Sequence, residues 1–187
     1  MNKKEKTNKA VFLDRDGVIN YVVYHRGIKK PSSPWNIEEF KLIKDIKEPL
    51  EELAKMGFLL FIISNQPDIS RGNIKKGTTE EINKIIYEKF PIKEITVCPH
   101  DDSDNCNCRK PKPGMILKLR EEYKIDLQKS YMIGDGYKDI KAAENTGVTS
   151  ILIDKEYNKD VDVKNRVADL ESAVKLIESV DHTKNTY

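Results

Sequence analysis

Two aspartates one residue apart, Asp14 and Asp16, end a short apolar run at residues 10–13 and are followed at once by Gly17. A strand fixes the backbone at its C-terminal edge, so both carboxylates can project toward one point where a cation offsets their repulsion. Such a pair suits a nucleophile for phosphoryl transfer, and Gly17 lets the chain turn sharply against a ligand. A second group is Cys98-Pro99-His100 and, five residues on, Cys106-Asn107-Cys108. Three thiolates and an imidazole suit tetrahedral zinc, and four protein ligands leave no open position, so this site reads as structural. Three cysteines in one eleven-residue window do not make a disulfide framework. The intervening Asp101, Asp102, Ser103, Asp104 and Asn105 cannot pack a core, so the loop is expected to lose order without its metal.

The elements that must position these groups read as α/β. Apolar runs at 58–63, 95–98, 131–133 and 150–153, with the one at 10–13, alternate with amphipathic stretches at 46–56, 78–90, from Pro113 onward, 138–145 and 167–180. This is the pattern of a Rossmann-like parallel sheet flanked by helices. Ligands bind beyond the carboxyl ends of such strands, which brings further residues to the same edge: Ser64, Asn65 and Gln66 after the second run; Gly134, Asp135 and, four residues later, Asp139 after the fourth; and Arg109-Lys110 before the Pro113 helix. Singly, Ser64 can be a turn cap, Asp139 a surface acid of its helix and Lys110 a solvated lysine. The segment 20–40, with Gly27, Pro31 and Pro34, is longer than an ordinary connection. Its Tyr21, Tyr24, His25 and Trp35 are candidates for a pocket wall.

The 187 residues suit one domain, 1–187, with polar tails at 1–9 and 181–187 that read as frayed ends. Lys plus Arg (33) nearly balances Asp plus Glu (31), so no nucleic acid or anionic membrane is expected as a partner. No apolar run approaches a membrane span, and the expectation is a cytoplasmic monomer.

Taken together and in this order, the elements from Val11 to Ile153 resemble the haloacid dehalogenase superfamily of phosphatases. The resemblance implies that Asp14 attacks phosphorus and becomes an aspartyl-phosphate, and that Asp16 acts as acid and then base. Ser64 and Lys110 would stabilise the phosphoryl group, with Asp139 orienting Lys110. Magnesium would be held by Asp14, the Asp16 carbonyl and Asp135. It further implies a zinc-bearing branch, without a large cap domain, that acts on heptose bisphosphate or histidinol phosphate. In that branch Asn20, Asn65, Gln66 and Arg109 would contact a small sugar-phosphate substrate, in nucleotide-heptose synthesis for surface polysaccharides or, alternatively, in histidine synthesis. Either role needs a substrate pocket. A bisphosphate needs a second anion site as well, for which Arg109, Arg71 or Lys29 can serve.

Overall fold

The computed structural model describes residues 7–184; the outermost tail positions, 1–6 and 185–187, lie outside them. Six parallel strands form one sheet in the order β3-β2-β1-β4-β5-β6: β1 (Lys9–Leu13), β2 (Phe58–Asn65), β3 (Ile92–Cys98), β4 (Tyr131–Gly134), β5 (Thr149–Ile153) and β6 (Arg166–Val167). Alternation along each strand serves two cores. Val11, Leu13, Leu60, Ile62, Ile133 and Ile151 face one side, beneath α1 (Lys47–Lys55), α2 (Thr78–Lys89) and α5 (Leu170–Lys184). Ala10, Phe12, Phe61, Ile63 and Met132 face the other, covered by α3 (Gly114–Tyr123) and α4 (Tyr137–Glu144). Strands buried on both faces read as unbroken apolar runs, which is why the sequence marks them so clearly.

Three boundaries differ from the sequence reading. Lys9 opens β1, and its ammonium lies 2.6 Å from Asp181 and 4.2 Å from the Phe58 ring centre, so two residues assigned to frayed ends are tied together. Ser64 and Asn65 are the last residues of β2 rather than the first after it. The strand β6 went unseen because two half-exposed residues carry no periodicity, and the last helix starts at Leu170 beyond it, with the Asp169 carboxylate accepting from the Ser172 amide at 2.8 Å. Between β1 and α1 the chain builds a small hairpin in place of a cap domain: Val23 and Ser32 exchange both backbone hydrogen bonds at 2.9 Å, with Gly27 in the left-handed region at the tip.

Candidate active site and metal centre

Strand register brings the first cluster together. Leu13 pairs with both Ile62 and Ile133, and the Asp14 amide continues the ladder to the Ile133 carbonyl at 2.9 Å. Asp14 and Asp135 therefore leave adjacent strands at the same level. The Asp14, Asp135 and Asp139 carboxylates each place an oxygen within 4.8 Å of the others. Two glycines permit this crowding. A Cβ on Gly17, whose φ is +87°, would stand 1.8 Å from Asp135 Oδ2, and one on Gly134 would meet the Asp139 side chain at 2.3 Å.

Lys110 is the counter-charge. Its buried ammonium lies 2.9 Å from Asp14 Oδ1 and 2.6 Å from Asp139 Oδ1, and it donates to the Ile63 carbonyl at 2.7 Å. Burial favours the neutral amine, but Asp139 and Asp14 outweigh it and hold Lys110 protonated above its usual value. One ammonium does not balance the carboxylates. Burial and then Asp139 push Asp14 well above its usual value, and the same two causes push Asp135 up to about 7 although the Tyr157 hydroxyl donates to it. Crowded, raised carboxylates on oxygen donors alone are what a hard divalent cation relieves, so Asp14 and Asp135 fit magnesium.

Asp16 is treated oppositely. Burial alone would raise it, but the Arg15 guanidinium at 3.3 Å and hydrogen bonds from Asn20 (2.8 Å), Ser33 (2.8 Å) and Gln66 (2.6 Å) hold it below the usual carboxylate value. These contacts also say where the expected substrate residues are. Asn20 and Gln66 are fully buried and spend their amides on Asp16 and, respectively, the Tyr21 carbonyl and Ser64 Oγ. Asn65 grips the Lys110 backbone at both ends, accepting from its N–H at 3.0 Å and donating to its carbonyl at 2.9 Å. The Arg109 guanidinium donates to Asp102 at 2.7 Å and to the His100 carbonyl at 3.2 Å, and the same Asp102 oxygen contacts the Lys138 ammonium at 3.3 Å. Of these four, Asn65 also lines the cleft over Asp14.

A cleft of about 450 Å³ opens over Asp14 and Asp16, within the size range of small-molecule sites. Its wall comes from Val22, Pro31, Ser32 and Ser33 of the hairpin, Asn65 at the end of β2, Tyr137 and Lys138 of α4, and Tyr157, Asn158, Asp160 and Val161 after β5. The aromatic candidates of segment 20–40 are elsewhere. Trp35 stacks on His25 with ring centres 3.5 Å apart, and Tyr21 and Tyr24 are exposed outside the cleft. Arg15, Ser33, Tyr157 and Asn158 were missed. Arg15 sits inside the aspartate motif, where a neighbour of two acids is a readable partner, but Ser33 meets Asp16 across seventeen residues and nothing local announces it. Asn158 joins the Asp135 and Ile153 carbonyls at 2.8 Å each, holding the Tyr157 turn against β5.

The second cluster is a loop construction. Cys98 closes β3, and Cys106 and Cys108 return to it across a 3₁₀ turn at Asp102–Asp104. Cys98 Sγ stands 3.7, 3.7 and 3.2 Å from His100 Nδ1, Cys106 Sγ and Cys108 Sγ; Cys108 Sγ is 3.3 Å from the imidazole and 3.4 Å from Cys106 Sγ. Four donors on one zinc stand about 3.5–3.8 Å apart, so this set fits a tetrahedral ion with little movement. Burial pushes the Cys98 thiol up to about 12. Burial would raise Cys106 too, but the Arg109 amide and the neighbouring thiols and amide at Cys108 and Cys98 bring it down to about 7.

An open parallel sheet with a carboxylate pair after β1 and a second acid after β4 defines a class, and the chain belongs to it: residues 20–153 match the model of the haloacid dehalogenase-like hydrolases. Among its relatives, the D-glycero-beta-D-manno-heptose-1,7-bisphosphate 7-phosphatase of Helicobacter pylori is 37% identical over 153 residues, 79% of this chain and 83% of that one. The corresponding enzyme of Escherichia coli is 34% identical over 190 residues, 91% of this chain and 95% of that one. The alpha-anomer enzyme of Campylobacter jejuni is 32% identical over 178 residues, 92% of this chain and 98% of that one. The fold matches that of the D,D-heptose 1,7-bisphosphate phosphatase of B. bronchiseptica, solved with magnesium and phosphate, at a TM-score of 0.77, with 22% identity over 92% of this chain and 99% of that one. Among the described residues, no helix is long and apolar enough to cross a membrane.

Proposed function

We propose that this hydrolase is a magnesium-dependent phosphatase that removes the 7-phosphate of D-glycero-D-manno-heptose 1,7-bisphosphate. The observation that carries the chemistry is the buried Lys110 ammonium 2.9 Å from Asp14 at the floor of a capless cleft; the relatives supply the substrate. Asp14 attacks phosphorus in line, forming a P–O bond to its carboxylate as the bond to the sugar oxygen breaks, and Asp16 gives that oxygen its proton. Water then attacks the aspartyl-phosphate, gives a proton to Asp16, and releases inorganic phosphate with Asp14 restored. Asp16 rests as the carboxylate needed for the second half. The proton for the first half is taken from solvent when the substrate phosphate, brought against Asp16, raises its proton affinity.

Lys110 neutralises charge on the phosphoryl oxygens as it spreads in the transition state. Asp14, Asp135 and the Asp16 carbonyl would hold magnesium, which supplies further positive charge against the same oxygens. Ser64 is read as stabilising the phosphoryl group beside Lys110, and Asn20, Asn65 and Gln66 as substrate-side residues that also position Lys110 (Asn65) and Asp16 (Asn20 and Gln66), with Asp139 orienting the ammonium. Cys98, His100, Cys106 and Cys108 are read as a structural zinc site, and Arg109, held in its loop by Asp102 and the His100 carbonyl, as contributing to substrate recognition.

The test is phosphate release with magnesium from both anomers of the heptose bisphosphate and from histidinol phosphate, with Asp14→Asn as the blank. One phosphate released from a heptose anomer, dependent on Asp14, is the expected result. Preference for histidinol phosphate, or release that survives Asp14→Asn, overturns the reading.

A further inference from the structure

Most polar side chains that line the cleft are committed to the protein itself. Ser33 donates to Asp16 at 2.8 Å, Asn65 clasps the Lys110 backbone, Tyr157 donates to Asp135, and Asn158 joins the Asp135 and Ile153 carbonyls. Asp160 is different. It lines the same cleft and is exposed, and its carboxylate has no ion pair or hydrogen bond with another described residue, although Lys159 beside it is paired with Asp154 at 2.6 Å. The free acid is nevertheless held in place. The Val161 amide closes a four-residue turn on the Asn158 carbonyl at 3.1 Å, with Asp160 third in the turn. From β6, the Arg166 guanidinium braces that turn on both sides of Asp160, donating to the Asn158 carbonyl at 3.2 Å and to the Val161 carbonyl at 2.5 Å. It also reaches Asn158 Oδ1 at 3.1 Å and Asp154 Oδ1 at 2.7 Å.

A fixed, unpaired carboxylate at this wall works against phosphate, because it adds like charge to a cleft that already holds Asp14, Asp16, Asp135 and Asp139. What it favours is a neutral hydrogen-bond donor. We infer that Asp160 is a specificity-determining residue, accepting hydrogen bonds from hydroxyl groups of the substrate's sugar chain while the phosphoryl group under attack lies against Asp14. The inference rests on the sugar-phosphate reading given above and extends it to the polyol part of the substrate. A hydroxyl bonded to an ionised acceptor is held more strongly than one bonded to a neutral acceptor. The same charge repels a phosphoryl group brought to that wall, so Asp160 rewards a polyol there and penalises a misplaced phosphate. Arg166, a residue of the short strand β6, acts on recognition by fixing the turn that carries Asp160.

Steady-state kinetics of wild type, Asp160→Ala and Asp160→Asn on heptose 7-phosphate and on phenyl phosphate test this, since both esters carry one phosphate dianion and only the first carries hydroxyls. The ratio of kcat/KM for heptose 7-phosphate over phenyl phosphate is expected to fall about tenfold in Asp160→Ala, through KM, and by about threefold in Asp160→Asn, which keeps a neutral acceptor. The ratio is internal to each protein, so a partly folded sample does not disturb it. An unchanged or increased ratio in Asp160→Ala, or a wild type with no preference for the heptose ester, overturns the role of Asp160 alone. A wild type that releases no phosphate from heptose 1,7-bisphosphate overturns the parent reading and this one with it.

Discussion

The carboxylate cluster beyond β1 and β4 carries its own cation, whereas the thiol cluster at 98–108 carries none within its donor set. Asp14, Asp135 and Asp139 leave two neighbouring strands and the first turn of a helix, and Lys110 is buried among them, so rigid elements fix their spacing before any ion arrives. Cys98, His100, Cys106 and Cys108 hang on one strand end and a polar loop. The first arrangement stays open to a cleft and is built for chemistry; the second is closed on itself and is built for shape. Removing a group from the first should cost rate, and removing the ion from the second should cost local order.

Asp14→Asn tests the first half of that contrast most severely. Activity is expected to fall by about four or more orders of magnitude, as for other covalent nucleophiles, while thermal unfolding stays cooperative. Lys110→Met comes next. It should lower kcat by about 10²–10³-fold and also reduce stability by about 3 kcal/mol, because Asp14 and Asp139 are left buried without their partner. Phosphate-release assays and denaturant titration report the two losses separately, and a loss of stability without loss of kcat would make Lys110 structural. Tyr157→Phe should be milder. The hydroxyl that donates to Asp135 is lost, and magnesium affinity measured by calorimetry is expected to weaken about tenfold.

How much of this was legible in sequence depends on the same contrast. The thiol cluster could be gathered from sequence because its four donors lie within eleven residues, and the structure does bring them together. The strand ends could be read because buried parallel strands are unbroken apolar runs, and those ends carry Asp14, Ser64 and Asp135. What could not be read is which protein groups each polar side chain would meet: that Asn20 and Gln66 both donate to Asp16, and Arg109 to Asp102, is fixed by packing rather than by residue type. Ser33, Tyr157 and Lys138 reach the cleft from segments whose position depends on the hairpin and on the turn after β5, neither of which has a periodic signature.

Chelation of the zinc proposed for the thiol cluster gives the smallest expected effect on rate and separates two explanations of how Lys110 is held. The sequence suggests that the metal loop aims Lys110, since Cys108 is two residues before it. In the structure the Lys110 backbone is clasped at its N–H and its carbonyl by Asn65, from β2, and its ammonium is bound by Asp14, Asp139 and the Ile63 carbonyl. These contacts come from the sheet and α4 and survive loss of the ion. Cys106→Ser, or a chelator that strips zinc without touching magnesium, should therefore speed hydrogen exchange through residues 99–107 while β1 and β4 stay protected. At saturating magnesium, kcat should fall by less than about tenfold, in keeping with a positioning effect smaller than loss of a direct transition-state contact. A fall as large as that of Lys110→Met would mean that the loop, and not Asn65, sets the position of the ammonium.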